Sequence, residues 1–201
     1  LPLVSVIIPH YGGEGIISEC LDSLYNTDYK ALEIIVVDNN SPDDSIKIIN
    51  NRFPYIKLIQ SEYNRGFAGG CNFGVQHATG EYILILNNDT VHKSDWIKHL
   101  VHRLETNENI SAVQPKIKNY KQRDYFDYAG GSGGFMDKYC SPFARGRVFN
   151  TIEKDEGQYD DSCQIFWASG TAFLTRKNVF DTLQGFDETL FAHMEEIDYH
   201  W

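Results

Sequence analysis

Asp38 is the first side chain whose position favours ligand chemistry, because it directly follows an apolar run at residues 34–37. At the end of a strand its carboxylate can accept the imide N–H of a uracil or thymine ring, or a ribose hydroxyl. The structural alternative is an Asx turn or a helix cap, since both are common for aspartate. The local pattern favours neither interpretation over the other.

Asp89 follows a second apolar run, residues 82–86, from which Asn87 and Asn88 separate it. Mg2+ and Mn2+ prefer hard oxygen ligands and are often held by one or two carboxylates together with substrate phosphates. A carboxylate just past a buried strand suits that role. The structural alternative is an aspartate in a solvated turn.

Three acids, Glu195, Glu196 and Asp198, cluster beside His193. A carboxylate among them can take the proton of an attacking hydroxyl as a general base. Acids are also common in the first turn of a helix, where the helix dipole favours negative charge. The seven histidines show no HExxH or other metal-ligand spacing.

A glycine-rich segment at residues 64–72 contains Gly66, Gly69 and Gly70. Glycine lets the backbone approach a ligand closely, and the N-terminus of the helix that follows favours a phosphate. The segment matches neither GxGxxG nor a Walker A loop. Its glycines can equally serve close packing between a helix and a sheet.

The elements that must position these residues alternate along the first half of the chain. Runs of β-branched residues predict strands at residues 4–8, 33–37, 56–59, 81–86 and 111–117. Periodicity and capping residues predict helices at residues 14–25, from Ser41, from the glycine-rich segment to Ala78, and from Ser94. This order favours an open α/β sheet, in which ligands bind at the carboxyl ends of the strands.

The second half of the chain lacks that rhythm. Residues 121–160 are rich in Gly, Tyr and charge, which predicts loops with short antiparallel strands. A strand at residues 164–175, interrupted at Ser169-Gly170, is expected to follow. Helices are predicted at residues 177–183 and 193–201.

Composition limits the class of protein. A chain of 201 residues with 42% apolar content fits one soluble globular domain, or one domain with a small appendage, and a net charge of -10 disfavours nucleic acid as a partner. Four cysteines without CxxC spacing predict free thiols in a reducing compartment. No signal peptide or run of about 18 apolar residues is present, so we expect a cytoplasmic location. Because the chain ends inside a predicted helix, we also expect it to be part of a longer protein.

Several motifs, in order along nearly the whole chain, resemble those of family 2 glycosyltransferases. The first are Val4-Ser5-Val6-Ile7-Ile8-Pro9-His10-Tyr11, Val36-Val37-Asp38-Asn39-Asn40-Ser41, Asn64-Arg65-Gly66-Phe67 and Leu86-Asn87-Asn88-Asp89. The last are Ser169-Gly170-Thr171-Ala172-Phe173-Leu174 and Gly185-Phe186-Asp187-Glu188. The likeness is greatest to bacterial rhamnosyltransferase-like members that build surface polysaccharides.

The resemblance implies the GT-A fold, a Rossmann-like open sheet that is mixed but mostly parallel and flanked by helices. A small antiparallel subregion would lie on the acceptor side. Residues 1–118 would form the nucleotide-sugar-binding half, and residues 119–201 the acceptor-side half of the same domain, truncated at its C-terminus.

The resemblance also implies an inverting hexosyl or rhamnosyl transfer from a UDP- or dTDP-sugar to an acceptor hydroxyl. The acceptor would be a glycan or a lipid-linked glycan in cell-surface polysaccharide synthesis. The region after Trp201 would carry acceptor determinants and a segment that associates with the inner face of the membrane.

The family motifs assign roles to particular residues. Asp89 matches the last acid of a DxD-type motif, and with Asn87 it would hold Mn2+ or Mg2+. Asn87 stands where many members carry an aspartate. Glu196 matches the catalytic acid and would be the general base, with Glu195 as the alternative. The nucleotide-sugar site would comprise Pro9, Tyr11, Asp38, Asn40, Asn64, Gly66, Phe67, Asn72 and Asn88.

Other classes remain as alternatives. A non-catalytic nucleotide-sugar-binding domain would keep the fold without turnover. A sugar nucleotidyltransferase would need a basic glycine-rich loop after the first strand, where residues 9–14 contain no Lys or Arg. A dinucleotide-dependent oxidoreductase would need GxGxxG there. The transferase interpretation requires Asp38, Asp89 and Glu196 to converge on one cleft, with neither aspartate sealed inside the core.

Overall fold

The structure is a computed structural model that describes all of residues 1–201. Its strands are β1 (Val4–His10), β2 (Leu32–Asp38), β3 (Lys57–Gln60), β4 (Tyr82–Leu86), β5 (Ala112–Val113), β6 (Gly134–Met136), β7 (Pro142–Ala144), β8 (Arg147–Val148), β9 (Thr151–Ile152) and β10 (Ala172–Arg176). Its α-helices are α1 (Glu14–Tyr25), α2 (Ser45–Arg52), α3 (Gly66–Val75), α4 (Trp96–Glu105), α5 (Lys177–Thr182) and α6 (Glu195–His200).

Six strands form the central sheet in the order β3-β2-β1-β4-β10-β5. The first four are parallel, whereas β10 is antiparallel to both β4 and β5. The sheet is therefore mixed and mostly parallel, as predicted. The carboxyl ends of β1 to β4 share one edge, and β10 begins at the same edge, where Ala172 pairs with Leu86.

Side chains alternate between the two faces of the sheet, and each face has its own core. Val6 and Ile8 of β1 belong to a cluster of 22 buried residues to which α1, α2 and α4 contribute. Ile7, between them, belongs to a second cluster of 13 that includes Ala68 of α3 and Phe180 of α5. Burial on both faces explains why the central strands are almost wholly apolar.

Two predicted helix starts were wrong because the capping residues bond elsewhere. The second helix begins at Ser45 rather than Ser41, since the Ser41 hydroxyl accepts the backbone N–H of Gly12 at 2.9 Å. This bond joins the loop after β1 to the loop after β2. Ser94 likewise donates its hydroxyl to Asp28 instead of capping α4, which begins at Trp96.

The glycine-rich segment forms the body of a helix rather than a loop. Gly66, Gly69 and Gly70 all lie within α3. A Cβ on Gly74 would lie 2.4 Å from a methyl carbon of Ile7, and one on Gly70 would lie 3.1 Å from Cβ of Pro9. These two glycines therefore let α3 pack closely on β1, which is the structural alternative considered for this segment.

The second half is less regular than the first, as predicted. Residues 121–160 contain two antiparallel two-stranded sheets, β6–β7 and β8–β9. The predicted strands at residues 111–117 and 164–175 are shorter in the structure. The side-chain oxygen of Gln114 accepts the backbone N–H of Ser169, and Trp167 forms a β-bridge with Gly134 instead of pairing with the main sheet. No helix has both the length and the apolar character that crossing a bilayer requires.

Candidate active site

Polar side chains from neighbouring strands meet at the carboxyl edge of the sheet. His10 ends β1 and pairs in register with Asp38, the last residue of β2. On the other side of β1, Nδ2 of Asn88 lies 2.8 Å from Nδ1 of His10. Asp89 follows directly in the chain, so the two aspartates lie at the same edge on either side of β1.

Asp38 is only 3% exposed, which goes against the expectation that it is open to a ligand, although it lies at the end of its strand beside exposed Gln60. Its Oδ1 accepts the backbone N–H of Ser41 at 2.8 Å, and its Oδ2 accepts the amide of Gln60 at 3.3 Å. The first bond is the turn-capping interaction that the sequence left open. Since each carboxylate oxygen can accept a second hydrogen bond, capping does not exhaust the capacity of Asp38 for a ligand.

The residues expected beside Asp38 differ in accessibility. Tyr11 is 55% exposed, and Asn40 is exposed with a left-handed φ of 65°. Pro9 is buried against Gly70 on the α3 face of the sheet, opposite to His10. Tyr11 and Asn40 are therefore open to a ligand, whereas the ring of Pro9 supports the strand from behind.

Asp89 lies exposed in the turn after β4, and none of the ion pairs includes it. Asn87 donates its backbone N–H to the carbonyl of Thr171 at 2.9 Å, which holds this turn beside Gly170. The structure contains no group of three His, Cys, Asp or Glu side chains that could hold a metal ion. The carboxylate of Asp89 and the amide oxygen of Asn87 instead suit a cation that receives its other ligands from a substrate.

A chain of hydrogen bonds holds the turn after β4. Thr90 donates its hydroxyl to the carbonyl of Asn87 at 2.8 Å. The ring of His92 lies between Thr90 and Ser23, with Nε2 at 2.9 Å from one hydroxyl and Nδ1 at 2.7 Å from the other. The ring of Trp96 stacks on His92. Burial lowers the pKa of His92 to about 4, so the ring is neutral near pH 7.

Glu195 and Glu196 begin α6 beside Gly170. Glu195 is 4% exposed, and a Cβ on Gly170 would lie 3.7 Å from its Oε1. Burial raises the pKa of both carboxyls, and at Glu196 the backbone N–H groups of Glu196 and Gly170 oppose this rise. In each acid Oε2 is buried without a hydrogen-bond partner. Unpartnered buried acids with raised pKa values are candidates for proton transfer.

A strained backbone segment leads into these acids. Phe191, His193 and Met194 have φ values of 56°, 73° and 73°. Each left-handed residue other than glycine costs about 1–3 kcal/mol, so surrounding contacts must hold it. The carbonyl of Phe191 accepts the backbone N–H groups of Phe67 at 2.7 Å and Ala68 at 3.2 Å.

That contact overturns the phosphate interpretation of the α3 N-terminus, because its first-turn N–H groups bond to Phe191 instead of facing a ligand. Gly66 is buried under Phe191, and Asn64 accepts the backbone N–H of Gly66 at 2.9 Å. Asn72 donates to the carbonyl of Phe186 and accepts its N–H, both at 2.9 Å.

Among the predicted donor-site residues of this segment, Phe67 lies beside Gly170, as Glu195 does. Its ring would lie 3.3 Å from a Cβ on Gly170. Asn64, Gly66 and Asn72 instead bond to the backbone of their own or a neighbouring loop.

Sequence reasoning missed His10 and Phe191. His10 stands between Pro9 and Tyr11 in the first of the family motifs, and its register with the last residue of β2 places it on the same face of the sheet as Asp38. That signal was present in the sequence. Phe191 acts through its backbone carbonyl, which no residue type signals.

Two hollows of about 410 and 420 Å³ lie at the opposite edge of the sheet, near the start of β4 and the start of β2. A basic side chain of each hollow is engaged within the protein. Arg176 donates to the carbonyl of Leu104, and Lys57 donates to the carbonyl of His77. We therefore assign them no ligand.

Comparison with known proteins gives a consistent result. The model of a family described as glycosyl transferase family 2 matches residues 5–184. An uncharacterized glycosyltransferase of Haemophilus influenzae is 36% identical over 115 residues, which are 56% of this chain and 36% of the relative. The Escherichia coli UDP-Glc:alpha-D-GlcNAc-diphosphoundecaprenol beta-1,3-glucosyltransferase WfaP is 34% identical over 148 residues, 70% of this chain and 58% of WfaP. The chain thus spans about a third to just over half of these relatives.

Two solved structures share the fold. S. aureus TarS 1-349 in complex with UDP superposes with a TM-score of 0.72 at 22% identity, covering 98% of this chain and 54% of TarS. The mannosyltransferase PcManGT from Pyrobaculum calidifontis, in complex with GDP-Man and Mn2+, gives 0.68 at 20% identity, with coverage of 98% and 50%. These likenesses confirm the predicted GT-A fold.

Proposed function

Because the chain belongs to glycosyl transferase family 2, we propose that it transfers a sugar, with inversion, from a nucleoside diphosphate donor to an acceptor hydroxyl. The proposal is supported by a chain of contacts that links the elements carrying Asp38, Asp89 and Glu196 at one edge of the sheet. Asp38 adjoins His10, which contacts Asn88 beside Asp89. The turn with Asp89 bonds to Thr171, next to the Gly170 N–H that stabilises the charge of Glu196.

We assign the nucleoside end of the donor to Asp38, Tyr11 and Asn40. The carboxylate of Asp38 would accept an N–H of a uracil or thymine ring or a ribose hydroxyl, and Tyr11 and Asn40 are exposed beside it. Asn88 would accept a hydrogen bond from the sugar nucleotide, between its nucleoside end and its diphosphate. A UDP- or dTDP-sugar fits these acceptors, and the neighbour TarS was solved with UDP.

The diphosphate would lie against Asp89 and Asn87 together with Mn2+ or Mg2+. One exposed carboxylate and one amide oxygen fit a cation that arrives with its substrate, since such ions keep several ligands from phosphate and water. When bound, the ion would offset the charge that develops on the leaving diphosphate. The neighbour PcManGT was solved with GDP-Man and Mn2+.

We assign proton transfer to Glu196. Its carboxylate would take the proton of the acceptor hydroxyl while the acceptor oxygen bonds to the anomeric carbon and the bond from that carbon to the diphosphate breaks. Glu195 is more buried than Glu196, which favours a positioning role for Glu195. Phe67 lies beside the same glycine as these acids, whereas we assign Asn64, Gly66, Asn72 and Pro9 to support of the site.

The acceptor is proposed to be a glycan or lipid-linked glycan of the cell surface. The name of the relative WfaP specifies a sugar on diphosphoundecaprenol as its acceptor, and this supports the proposal. Work on such an acceptor would place the site in the cytoplasm at the inner face of the membrane. A hexosyl or rhamnosyl donor remains part of the proposal.

The proposal is tested by thermal unfolding with UDP, dTDP and GDP, each with and without Mn2+. We expect UDP or dTDP to raise the Tm only when Mn2+ is present, and the matching sugar nucleotide to be hydrolysed slowly. If no nucleoside diphosphate changes the Tm, the proposal fails. Binding without hydrolysis or transfer to any acceptor would instead favour a non-catalytic nucleotide-sugar-binding domain.

A further inference from the structure

His10 is a buried polar residue at the centre of the proposed donor site, and it belongs to none of the nucleoside, metal or base assignments. It is 1% exposed, and its strand lies between those that lead to Asp38 and Asn88. Nδ1 of its ring contacts Nδ2 of Asn88 at 2.8 Å. Nε2, on the opposite edge of the ring, is buried without a partner. Nearly all buried polar atoms in proteins have a hydrogen-bond partner, so the unpartnered Nε2 requires an explanation.

The contact determines which atom donates. Nδ2 of Asn88 belongs to an amide NH2 group, which donates hydrogen bonds and accepts none, so Nδ1 of His10 accepts and the neutral ring carries its proton on Nε2. Burial lowers the pKa of His10, while the charges of Asp43 and Asp38 oppose that shift. A neutral ring near pH 7 is thus consistent with its surroundings.

The same contact sets the orientation of Asn88. Because Nδ2 faces His10, Oδ1 of Asn88 faces the other way, and it is not among the buried atoms that lack a partner. The amide therefore presents an acceptor, not a donor, to the cleft. An acceptor binds a hydroxyl and disfavours an anionic phosphate oxygen.

We propose that His10 is a positioning residue that acts through Asn88, fixing its amide so that Oδ1 accepts a ribose hydroxyl of the nucleotide. This inference rests on the proposed function. The order of the site supports a ribose, since Asn88 lies between Asp38, assigned to the nucleoside, and Asp89, assigned to the diphosphate. A ribose or 2′-deoxyribose stands between the base and the diphosphate of every nucleoside diphosphate.

Three variants at one position separate this role from simple packing. His10→Asn keeps an acceptor near the position of Nδ1, whereas His10→Gln extends its amide past that position and His10→Phe has none. The probes are UDP and inorganic pyrophosphate, each with Mn2+, by calorimetry. We expect His10→Gln and His10→Phe to weaken UDP about tenfold, the loss of roughly one good hydrogen bond, and His10→Asn to remain within about threefold of wild type.

Pyrophosphate distinguishes positioning from damage to the site, because it has no ribose. We expect its affinity to stay unchanged in all three variants. In a double-mutant cycle with Asn88→Ala, the second substitution should add little to the first, since both remove one interaction. Long-range 1H–15N spectra should show His10 protonated on Nε2 in the wild type.

The outcomes are separable from those of the proposed function. If the wild type binds neither UDP nor dTDP, the proposed function fails. If the wild type binds UDP but His10→Gln binds it equally well, or if UDP and pyrophosphate weaken together, only the role of His10 is refuted. Additive effects of His10→Phe and Asn88→Ala would refute it as well.

Discussion

The carbonyl oxygen of Phe191 accepts the backbone N–H of Phe67 at 2.7 Å and so anchors the segment before the two glutamates to the first turn of α3. The two residues come from opposite halves of the chain. The same halves share the central sheet, because β10 of the second half lies between β4 and β5 of the first. Changes at the start of α3 are therefore expected to reach the glutamates.

Gly66→Ala tests this anchor. A Cβ at position 66 would lie 2.4 Å from the Phe191 carbonyl oxygen, at a φ of 71°. We expect a loss of about 1–3 kcal/mol in the free energy of unfolding and a marked fall in turnover. Gly15→Ala is the matched control, because nothing lies within 4 Å of its Cβ. Urea unfolding measures the stability of each variant, and donor hydrolysis measures its turnover. If Gly66→Ala matches the wild type in both properties, the anchor is contradicted.

Asp89→Asn tests the metal assignment. The substitution removes the only carboxylate of the turn after β4, and a metal contributes several kcal/mol of charge stabilisation, so we expect donor hydrolysis to fall about 100-fold or more. The Mn2+-dependent rise in Tm with UDP should disappear as well. Asp95→Asn, also exposed, serves as the control and should retain both properties. If Asp89→Asn keeps the full Mn2+ dependence, Asp89 is not a metal ligand and the metal binds elsewhere.

Glu196→Gln tests the assignment of the base. We expect kcat to fall about 10²–10⁴-fold while the affinity for UDP is retained, since only the proton acceptor is lost. Burial raises the pKa of Glu196 above its usual 4.5, and a base must be ionised. The wild-type rate should therefore fall as the pH is lowered, with the midpoint of the fall above pH 4.5.

Neighbouring acids supply the controls for that experiment. Asp198→Asn changes an exposed acid on the same helix and should leave kcat near wild type. Glu195→Gln should lower kcat less than Glu196→Gln does. If Glu195→Gln has the larger effect, the two assignments exchange.

The strands and the sheet edge could be predicted from sequence because their signals are local. Runs of apolar residues follow directly from burial on both faces, and Asp38 and Asp89 were located by the ends of those runs. The start of α2 could not, since Ser41 has the type of a cap but bonds to Gly12, 29 residues away. Long-range partners of this kind have no local pattern.

In the candidate site, too, local signals could be predicted from the sequence and long-range partners could not. The glycines of α3 indicated close approach, but only the structure shows that Gly74 faces Ile7 and that Gly66 faces Phe191. A glycine pattern is the same whether the neighbour is a ligand or the protein itself. Phe191 contributes a backbone carbonyl, and the side chain that the sequence specifies is irrelevant to that contact.

His92→Phe tests the hydrogen-bond chain that holds the turn with Asp89. The pKa of native His92 is about 4 against 6.5 for an unburied histidine, so between these pH values the unfolded chain binds a proton that the native protein does not. Stability from this group is complete above pH 6.5 and is lost as pH falls to 4, by about 3 kcal/mol. The phenyl ring can keep the stacking on Trp96 but does not titrate. Because the variant loses the hydrogen bonds to Thr90 and Ser23, we expect it to be less stable than wild type at pH 7. Urea unfolding should show the stability difference moving in favour of the variant by about 3 kcal/mol between pH 7 and pH 4. A stability difference between variant and wild type that stays constant between pH 7 and pH 4 would refute the assignment.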